Sequence, residues 1–233
     1  KEARDAIHEL DNNVGLLAVG HLIDDLREKY SNYNSVMKYL DSVQRDILEN
    51  LDNFRSDDDE DSQFPFIMKR SKKDIFKKYS VNLFVDNSHT NGAPVVVEYN
   101  PNYNNVLGSI EYESDFGVAI TDFTKIKAGA LHKANGGYII LQAKDILTYP
   151  YVWDALKRTL KTDKIAIENV TSSYGLLSIS SLKPEPIELN VKVILIGTPY
   201  LYYILYNYDD DFKKLFKVKV DFNDVMELND ENI

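Results

Sequence analysis

The sequence of 233 residues contains no cysteine. Disulfides and thiolate metal sites are therefore excluded, and the composition fits a reducing compartment. No run of about 18 apolar residues is present to span a bilayer. The N-terminal segment Lys1-Glu-Ala-Arg-Asp5 also lacks the apolar core of a signal peptide. These absences predict a cytoplasmic protein that makes no membrane contact.

Metal ligands and basic surface are scarce as well. Four histidines lack the paired spacing of metal ligands and are interpreted as structural or surface residues: His8, His21, His89 and His132. The net charge of −10 makes a nucleic-acid surface an unfavoured interpretation, because neutralising phosphates requires clustered Lys and Arg. The basic stretch at 69–78 is interpreted as a solvated segment, with contact to an acidic partner as the alternative.

Two segments near the N-terminus carry apolar side chains at helical spacing. Residues 3–28 have Ile7, Leu10, Val14, Leu17, Leu22 and Leu26, and residues 35–54 have Val36, Leu40, Val43, Ile47, Leu51 and Phe54. The near-heptad spacing is typical of a coiled coil, and the connection at 29–34 is short. The pattern predicts an antiparallel helical hairpin over residues 1–56.

Five consecutive acids at 57–61 interrupt this helical pattern. Their mutual repulsion disfavours compact structure, and the basic stretch follows them, so residues 57–79 are predicted to be an acidic and basic linker. A metal site at the acids is the alternative. The Gly and the distal Glu of a calcium loop are missing, so no metal site is predicted.

From residue 80 onward the apolar residues come in short runs typical of strands. The runs are 81–85, 94–98, 117–120, 138–141 and 191–196, and the last two have the density of strands buried on both faces. Pro150 suits the first turn of a helix that extends to about Lys161. Runs at 165–167 and 176–179 predict an inserted β-hairpin. Strand, helix and strand make a crossover unit, so residues 80–233 are predicted to form a parallel sheet covered by helices.

The most informative stretch runs from Gly129 to Lys144, where a G-A-L-x-x-A-x-G-G phrase leads into the strand at 138–141. Further phrases accompany it in a fixed order: Asn82-Leu-Phe-Val-Asp-Asn87, Gly92-Ala-Pro94, Asn100-Pro-Asn-Tyr103, Leu107-Gly-Ser-Ile-Glu111, Thr121-Asp-Phe123, Pro184-Glu-Pro-Ile187, Asp211-Phe212 and Leu215-Phe-Lys-Val-Lys219. Together they resemble the AAA-type module of Lon-like proteases over residues 80–222. The resemblance implies a partial AAA+-like α/β core, with the helical hairpin as an arm inserted in the ATPase module.

The resemblance also implies a longer parent protein. Members of this family carry a Gly-rich phosphate loop upstream and a Ser/Lys peptidase domain downstream, and the phrase G-x-x-x-x-G-K-[ST] is absent here. ATP and Mg²⁺ are candidate cofactors of the parent, and none is expected for these residues. The parent is expected to be a Lon-like serine endopeptidase that assembles into a ring and acts on protein substrates.

Three positions depart from the family members that hydrolyse ATP. In those members the strand ends in Asp-Glu, where the Asp helps to hold Mg²⁺ and the Glu positions the attacking water. Gln142 and Ala143 stand at these two positions, and Thr198 stands where a sensor-1 Asn is expected. These departures resemble the ATP-independent branch of the family and predict weak or absent hydrolysis.

Two further groups of candidate site residues follow from the resemblance. An arginine finger is expected near 212–219, where the chain has only lysines: Lys213, Lys214, Lys217 and Lys219. Lysine supplies charge but lacks the planar two-pronged contact of arginine. The segment from Leu107 to Thr121 resembles a region that faces the pore of a ring. Tyr112 and Phe116 are candidates there for gripping an unfolded substrate, with simple packing as the alternative.

Three functional hypotheses follow from these motifs. The leading hypothesis is a hydrolysis-deficient, ATPase-like module of a Lon-family protease that serves ring assembly and substrate admission. The alternative is a non-catalytic scaffold with an AAA+ fold that serves oligomerisation or partner binding. A transcription-activator ATPase ranks last, because the G-A-F-T-G-A loop of such proteins is absent.

Overall fold

The structure, a computed structural model, describes residues 2–54, 76–115, 118–168, 182–223 and 225. The chain divides into two compact units, Lys1–Val81 and Asn82–Ile233. Within the described ranges, every helix is too short or too polar to cross a membrane.

The regular elements are numbered in chain order. The helices are α1 (Glu2–Lys29), α2 (Asn34–Glu49), α3 (Tyr103–Leu107), α4 (Ala130–Lys133), α5 (Ala143–Thr148), α6 (Val152–Thr162), α7 (Pro199–Tyr208) and α8 (Asp210–Leu215). The strands are β1 (Val95–Glu98), β2 (Ser109–Ile110), β3 (Glu113–Asp115), β4 (Val118–Ile120), β5 (Ile126–Lys127), β6 (Tyr138–Gln142), β7 (Lys164–Ile165), β8 (Ile187–Glu188) and β9 (Lys192–Ile196).

The first unit is a pair of antiparallel helices. Arg27, near the end of α1, donates a hydrogen bond to Asp41 in the first half of α2 at 2.6 Å. Gly15, in the middle of α1, lies against Leu51, which follows the end of α2. A Cβ at Gly15 would be 2.6 Å from a Leu51 methyl carbon, so the glycine permits this close approach. The predicted helical hairpin is confirmed.

The apolar stripe of α1 is not the face that packs on α2. Leu10, Val14 and Leu17 are 64, 59 and 80% exposed, whereas Ile23 is buried. The packing face passes through Gly15 and Ile23, because glycine brings the helices closer than a leucine would. The near-heptad stripe therefore predicted the helix correctly but not the buried face.

In α2 the predicted stripe does form the buried face. Leu40 and Ile47 are buried, and the helix ends at Glu49 instead of continuing to residue 54. Beyond it, a 3-10 turn covers Leu51–Asn53. The backbone N–H and the side-chain amide of Asn50 both donate to the carbonyl oxygen of Asp46, at 3.1 and 2.8 Å, and so fix the end of the helix.

The second unit is built on a parallel three-stranded sheet in the order β1-β6-β9. Helices surround this sheet, so the predicted AAA+-like α/β fold is confirmed. The remaining strands form two-stranded antiparallel ladders, in which β2 pairs with β5, β3 with β4, and β7 with β8.

The core of this unit lies between β6 and the helices. Along β6, Ile139 and Leu141 are fully buried while Tyr138 and Gln142 are exposed, as the alternation of a strand requires. The largest fully buried side chains are Leu107, Leu131, Ile139, Leu141, Ile146, Leu156, Ile165, Val106, Val152 and Pro101. Burying a side chain of this size contributes about 1.5–3 kcal/mol, so this cluster is the main source of stability for the α/β unit.

Two of the predicted strands have different roles in the structure. Residues 81–85 form no strand, and the Asn82 amide instead donates to the carbonyl oxygens of Phe123 and Ile126 at 2.9 and 3.1 Å. The run at 117–120 contributes β4, which pairs with β3 outside the parallel sheet. Both runs have strand-like composition, but side-chain hydrogen bonds and local pairing decide their conformation.

The run at 191–196 forms β9, but its burial was predicted wrongly. Within the described residues β9 pairs only with β6, and Ile194 and Ile196 are 43 and 48% exposed. Its composition is that of a strand covered on both faces, whereas its position is at the edge of the sheet.

Two predicted connections also differ. The predicted helix begins at Val152, two residues after Pro150, and ends at Thr162. Lys164 and Ile165 pair with Ile187–Glu188, and the predicted partner run at 176–179 lies outside the described residues.

Candidate functional site

The carboxyl ends of the parallel strands bring several candidate residues together. In open parallel sheets ligands bind beyond this edge. Gln142 ends β6 and is in register with Ile196, which ends β9. Thr198 follows two residues later, and Ala143 begins α5 directly after Gln142. Gln142, Ala143 and Thr198 therefore lie at the ends of neighbouring strands.

Gln142 and Ala143 present different surroundings. Gln142 is exposed, and its side chain makes no capping hydrogen bond to α5. Ala143 is only 5% exposed. It lies close to Gly197, because a Cβ added to that glycine would be 3.2 Å from the Ala143 methyl carbon. The site thus offers one neutral amide and one buried methyl group. These groups do not fit Mg²⁺, which binds through carboxylates and waters.

Thr198 is used by the fold as a helix cap. Its hydroxyl oxygen accepts a hydrogen bond from the backbone N–H of Leu201 at 3.3 Å, and Pro199 occupies the first position of α7. This is the N-cap arrangement that satisfies an otherwise unpaired donor at the start of a helix. The hydroxyl at the expected sensor-1 position therefore already has a structural partner.

The four lysines expected to replace an arginine finger lie in and after α8. Lys213 Nζ lies 4.9 Å from the ring centroid of Tyr206. Lys219 Nζ pairs with Asp221 at 2.7 Å and lies 5.0 Å from the ring centroid of Tyr202. The hydrogen bond to Asp221 raises the pKa of Lys219. Lys214, the remaining lysine of α8, and Lys217 are exposed.

An ion pair and aromatic contacts hold α8 against α6, a feature that the sequence analysis missed. Asp209 accepts hydrogen bonds from the Trp153 ring nitrogen at 2.7 Å and from Lys157 at 2.9 Å. Burial opposes ionisation of Asp209, but these bonds outweigh it and lower its pKa. The Trp153 ring also stacks on Phe216 with centroids 5.9 Å apart. The partners are distant in sequence, so no local pattern indicates them.

Tyr112 lies between β2 and β3, at the base of the β3–β4 hairpin. Its neighbours are held in place, because Glu111 N–H donates to the Lys125 carbonyl at 3.0 Å and Glu113 forms an ion pair with Lys125. Tyr112 itself is half-buried. Phe116 lies outside the described residues, so only one of the two candidate pore aromatics is placed.

Two cavities of the second unit lie at the amino ends of the strands. The larger, about 550 Å³, is lined by Gly136 and Asn190, which precede β6 and β9. The smaller, about 300 Å³, is lined by Phe84, Thr90 and Val95. Neither includes Gln142, Ala143 or Thr198. In the described part of the chain, no group of three His, Cys, Asp or Glu side chains could hold a metal ion.

His132 is a buried residue of α4 with one unpaired nitrogen. Its Nδ1 accepts a hydrogen bond from Gly129 N–H at 3.2 Å, and its ring packs edge to face against Phe84 with centroids 4.7 Å apart. Nε2 is buried without a partner in the described residues. Burial lowers the pKa of His132 to about 4. The imidazole caps the start of α4, which fits the interpretation of this histidine as structural.

The glycines of the phrase before β6 also serve the fold. A Cβ at Gly137 would be 2.0 Å from the carbonyl oxygen of Pro94, which accepts a hydrogen bond from Tyr138 N–H at 2.8 Å. Only glycine allows β1 and β6 to approach this closely. Gly137, the last glycine of this phrase, is therefore explained by the packing of the sheet.

Comparison with known proteins gives a family and likenesses to solved structures. A crystal structure of NtrX from Brucella abortus shares 19% identity with a TM-score of 0.34, covering 56% of this chain and 26% of that chain. The present chain thus spans about a quarter of that structure, and a likeness of this extent supports no functional conclusion. The search of curated proteins found no match.

The family comparison covers more than half of the sequence. It matches residues 91–223 to the family described as "LonB-like, AAA domain", a range that contains β1, β6, β9 and the strand ends discussed above. The chain therefore belongs to the LonB-like AAA domain family.

Proposed function

We propose that this AAA domain acts within a longer Lon-type protease, where it supports ring assembly and substrate admission while hydrolysing ATP weakly or not at all. The observation that carries the proposal is the end of β6, where Gln142 is exposed and Ala143 is buried. Hydrolysis needs one carboxylate to hold Mg²⁺ and a second group to orient the water. An amide and a methyl group supply neither.

The neighbouring positions support the same proposal. The Thr198 hydroxyl oxygen accepts the hydrogen bond of Leu201 N–H, and Lys219 pairs with Asp221 and lies over the Tyr202 ring. Lysine is a point charge, whereas stabilising a transferring phosphate in the manner of an arginine finger uses a planar pair of donors. The structure thus uses Ala143 for packing and Thr198 for capping, while Gln142, Lys214 and Lys217 are exposed.

The test is phosphate release and casein cleavage by the purified chain with Mg²⁺ and ATP. We expect neither activity above a protein-free control. Turnover of ATP or casein that is lost on substitution of a residue in this chain would refute the proposal. Gln142→Ala serves as the first such substitution, because it removes the only polar side chain at the end of β6 without disturbing the core.

Substrate admission is assigned to the β3–β4 hairpin and Tyr112. The ion pair of Glu113 with Lys125 and the hydrogen bond from Thr121 Oγ1 to the Glu111 carbonyl at 2.7 Å hold the base of the hairpin, so Tyr112 has a fixed backbone. An aromatic side chain on such a backbone offers a large apolar contact surface to an extended chain. Crosslinking of unfolded casein should fall in Tyr112→Ala and persist in Tyr99→Ala, a control at an 80% exposed tyrosine. Equal crosslinking in both variants would argue against this role.

A non-catalytic scaffold is the second candidate, and the exposed face of α7 favours it. Tyr200, Tyr203 and Tyr206 recur every three residues and are 76, 55 and 43% exposed. Tyrosine is enriched at protein interfaces. If this face holds subunits together, Tyr200→Lys should lower the mass of the protein in sedimentation, whereas Tyr99→Lys should not. A monomer at every concentration tested would exclude self-association through this face.

A further inference from the structure

The sequence contains two Asn-Gly pairs, Asn91-Gly92 and Asn135-Gly136. In such a pair the backbone nitrogen of the glycine reaches the side-chain carbonyl carbon of the asparagine with little hindrance, because glycine has no Cβ. The two pairs are chemically identical. Their reactivity therefore depends on what the fold does with each of them.

Asn91-Gly92 lies at an open bend before β1. Both residues are exposed, Gly92 has a φ of +86°, and a Cβ at Gly92 would meet nothing within 4 Å. Within the described ranges, neither the Asn91 side chain nor the Gly92 N–H takes part in a hydrogen bond. The reacting atoms at this pair are therefore free to approach each other.

Asn135-Gly136 is fixed by three hydrogen bonds. Asn135 Oδ1 accepts from Asn190 N–H, and its amide group donates to the carbonyl oxygen of Glu188, both at 2.8 Å. Gly136 N–H donates to the carbonyl oxygen of Asn190 at 2.8 Å. The side chain cannot turn toward the glycine nitrogen, and that nitrogen is already engaged, unless these bonds break.

We propose that Asn91 is a site of spontaneous deamidation and that the fold protects Asn135 from the same reaction. The Gly92 nitrogen attacks Cγ of Asn91, a new N–C bond closes a five-membered succinimide, and the side-chain nitrogen leaves as ammonia with the proton from Gly92. Water then opens the ring at either carbonyl, which yields aspartate or isoaspartate. Each conversion adds one negative charge to the chain.

The modified residue would border the smaller cavity. Thr90, the preceding residue, lines that cavity together with Asp86 and Lys133. Pro94, three residues later, receives the hydrogen bond from Tyr138 N–H that aligns β1 with β6. The new carboxylate thus enters the loop that connects the cavity wall to the first strand of the sheet.

The experiment is to incubate the purified chain in mildly alkaline buffer and to map deamidation by peptide mass spectrometry. We expect conversion at Asn91 to be about 100-fold faster than at Asn135, because three hydrogen bonds oppose the reactive geometry at Asn135. In urea both asparagines should convert at similar rates, since the unfolded chain treats the pairs alike. Equal rates in the folded protein, or an unmodified Asn91 when the unfolded chain converts, would overturn the proposal.

A conservative variant tests whether residue 91 itself is the residue that deamidates. Asn91→Gln keeps the amide but requires a six-membered ring, so the mass gain at residue 91 should disappear while Asn135 stays unmodified. Labelling by an isoaspartyl methyltransferase should fall with it. Undiminished labelling of the Asn91→Gln variant would show that isoaspartate forms elsewhere and that Asn91 is not the reactive site.

Discussion

The helical unit and the α/β unit use their apolar residues in different ways. In the helical unit, Leu10, Val14 and Leu17 are more than half exposed, and Leu40 and Ile47 carry the packing. In the α/β unit, a continuous cluster that includes Ile139 and Leu156 is removed from solvent. The α/β unit therefore has a core of its own, whereas among the described residues of the helix pair only Ile23, Leu40 and Ile47 are buried apolar side chains.

This difference predicts unequal local stability. Regions with few buried apolar contacts open at lower free energy than a packed core. A polar contact crosses the seam of the helix pair, where Arg27 of α1 bridges to Asp41 of α2. The Asp46 carboxylate of α2 accepts from the hydroxyl of Tyr79, a residue of the first unit outside both helices, at 2.5 Å. Exposed ion pairs contribute at most about 1 kcal/mol each, so the apolar seam still decides whether the pair holds.

The largest expected effect comes from breaking the seam. Leu40→Asp places an unpaired carboxylate at a position only 6% exposed, which is costly, so the helix pair should open while the α/β unit stays folded. Hydrogen exchange checks this, with loss of protection at Ile47 and retained protection at Ile139. The matched control is Leu17→Asp, at an 80% exposed position of α1, which should change neither. Equal deprotection of Ile47 and Ile139 would contradict the division into two units.

The next effect tests the core of the α/β unit. Leu156 is fully buried, so Leu156→Ala should lower the free energy of unfolding by about 2–5 kcal/mol. Ile194→Ala in β9 is the control, and it should cost clearly less because Ile194 is 43% exposed. Urea unfolding followed by Trp153 fluorescence measures both. Similar losses for the two variants would show that the edge strand is covered in solution.

A smaller effect concerns pH and should be confined to the α/β unit. Burial lowers the pKa of His132 from 6.5 to about 4. In the unfolded chain His132 binds a proton below about pH 6.5, whereas in the folded chain it does so only below about pH 4. The free energy of unfolding therefore falls as the pH is lowered from about 6.5 to about 4. The slope from one such group is at most about 1.4 kcal/mol per pH unit.

His132→Asn removes the titration and keeps an acceptor for Gly129 N–H. Its stability should therefore depend less on pH than that of the parent chain between neutral and mildly acidic buffer. His89→Asn, at an exposed histidine, is the matched control for the substitution itself. If His132→Asn retains the full slope, the acid sensitivity arises at another group.

Much of the fold could be predicted because local pattern and tertiary packing agree. The short apolar run at 138–141 is a strand in the structure, and the stripe of Leu40 and Ile47 is the buried face of α2. The prediction was wrong where partners distant in sequence decide. Residues 81–85 have strand composition, but the Asn82 amide donates to the Phe123 and Ile126 carbonyl oxygens. The run at 191–196 has the composition of a strand buried on both faces, but within the described residues it pairs only with β6 and is partly exposed.

The candidate site divides in the same way. A single motif predicted that the strand at 138–141 leads into Gln142 and Ala143, and in the structure β6 ends at Gln142 and α5 begins at Ala143. That Ala143 is packed against Gly197, and that Thr198 caps α7, depends on neighbours that come from another part of the chain. The Asp209 contacts with Trp153 and Lys157 join residues more than 50 positions apart and left no local signal.

The smallest expected effect is on ATP hydrolysis. It tests whether this domain keeps the AAA+ fold but lacks the groups that hydrolysis needs. Gln142→Asp with Ala143→Glu, placed in the longer polypeptide proposed above, restores both acids, yet ATP hydrolysis should rise by less than about tenfold because catalytic groups act as a unit. Thr198 and the lysines at 213, 214, 217 and 219 would remain unsuited to their roles. A glutamate at the buried position 143 would also overfill the space beside Gly197, which should lower the free energy of unfolding by about 1–3 kcal/mol.

Gln142→Asp alone is the control, since it changes an exposed side chain and should leave stability intact. Phosphate release decides the matter: vigorous turnover by the double variant would show that the site is two residues from active and that its other positions are sound.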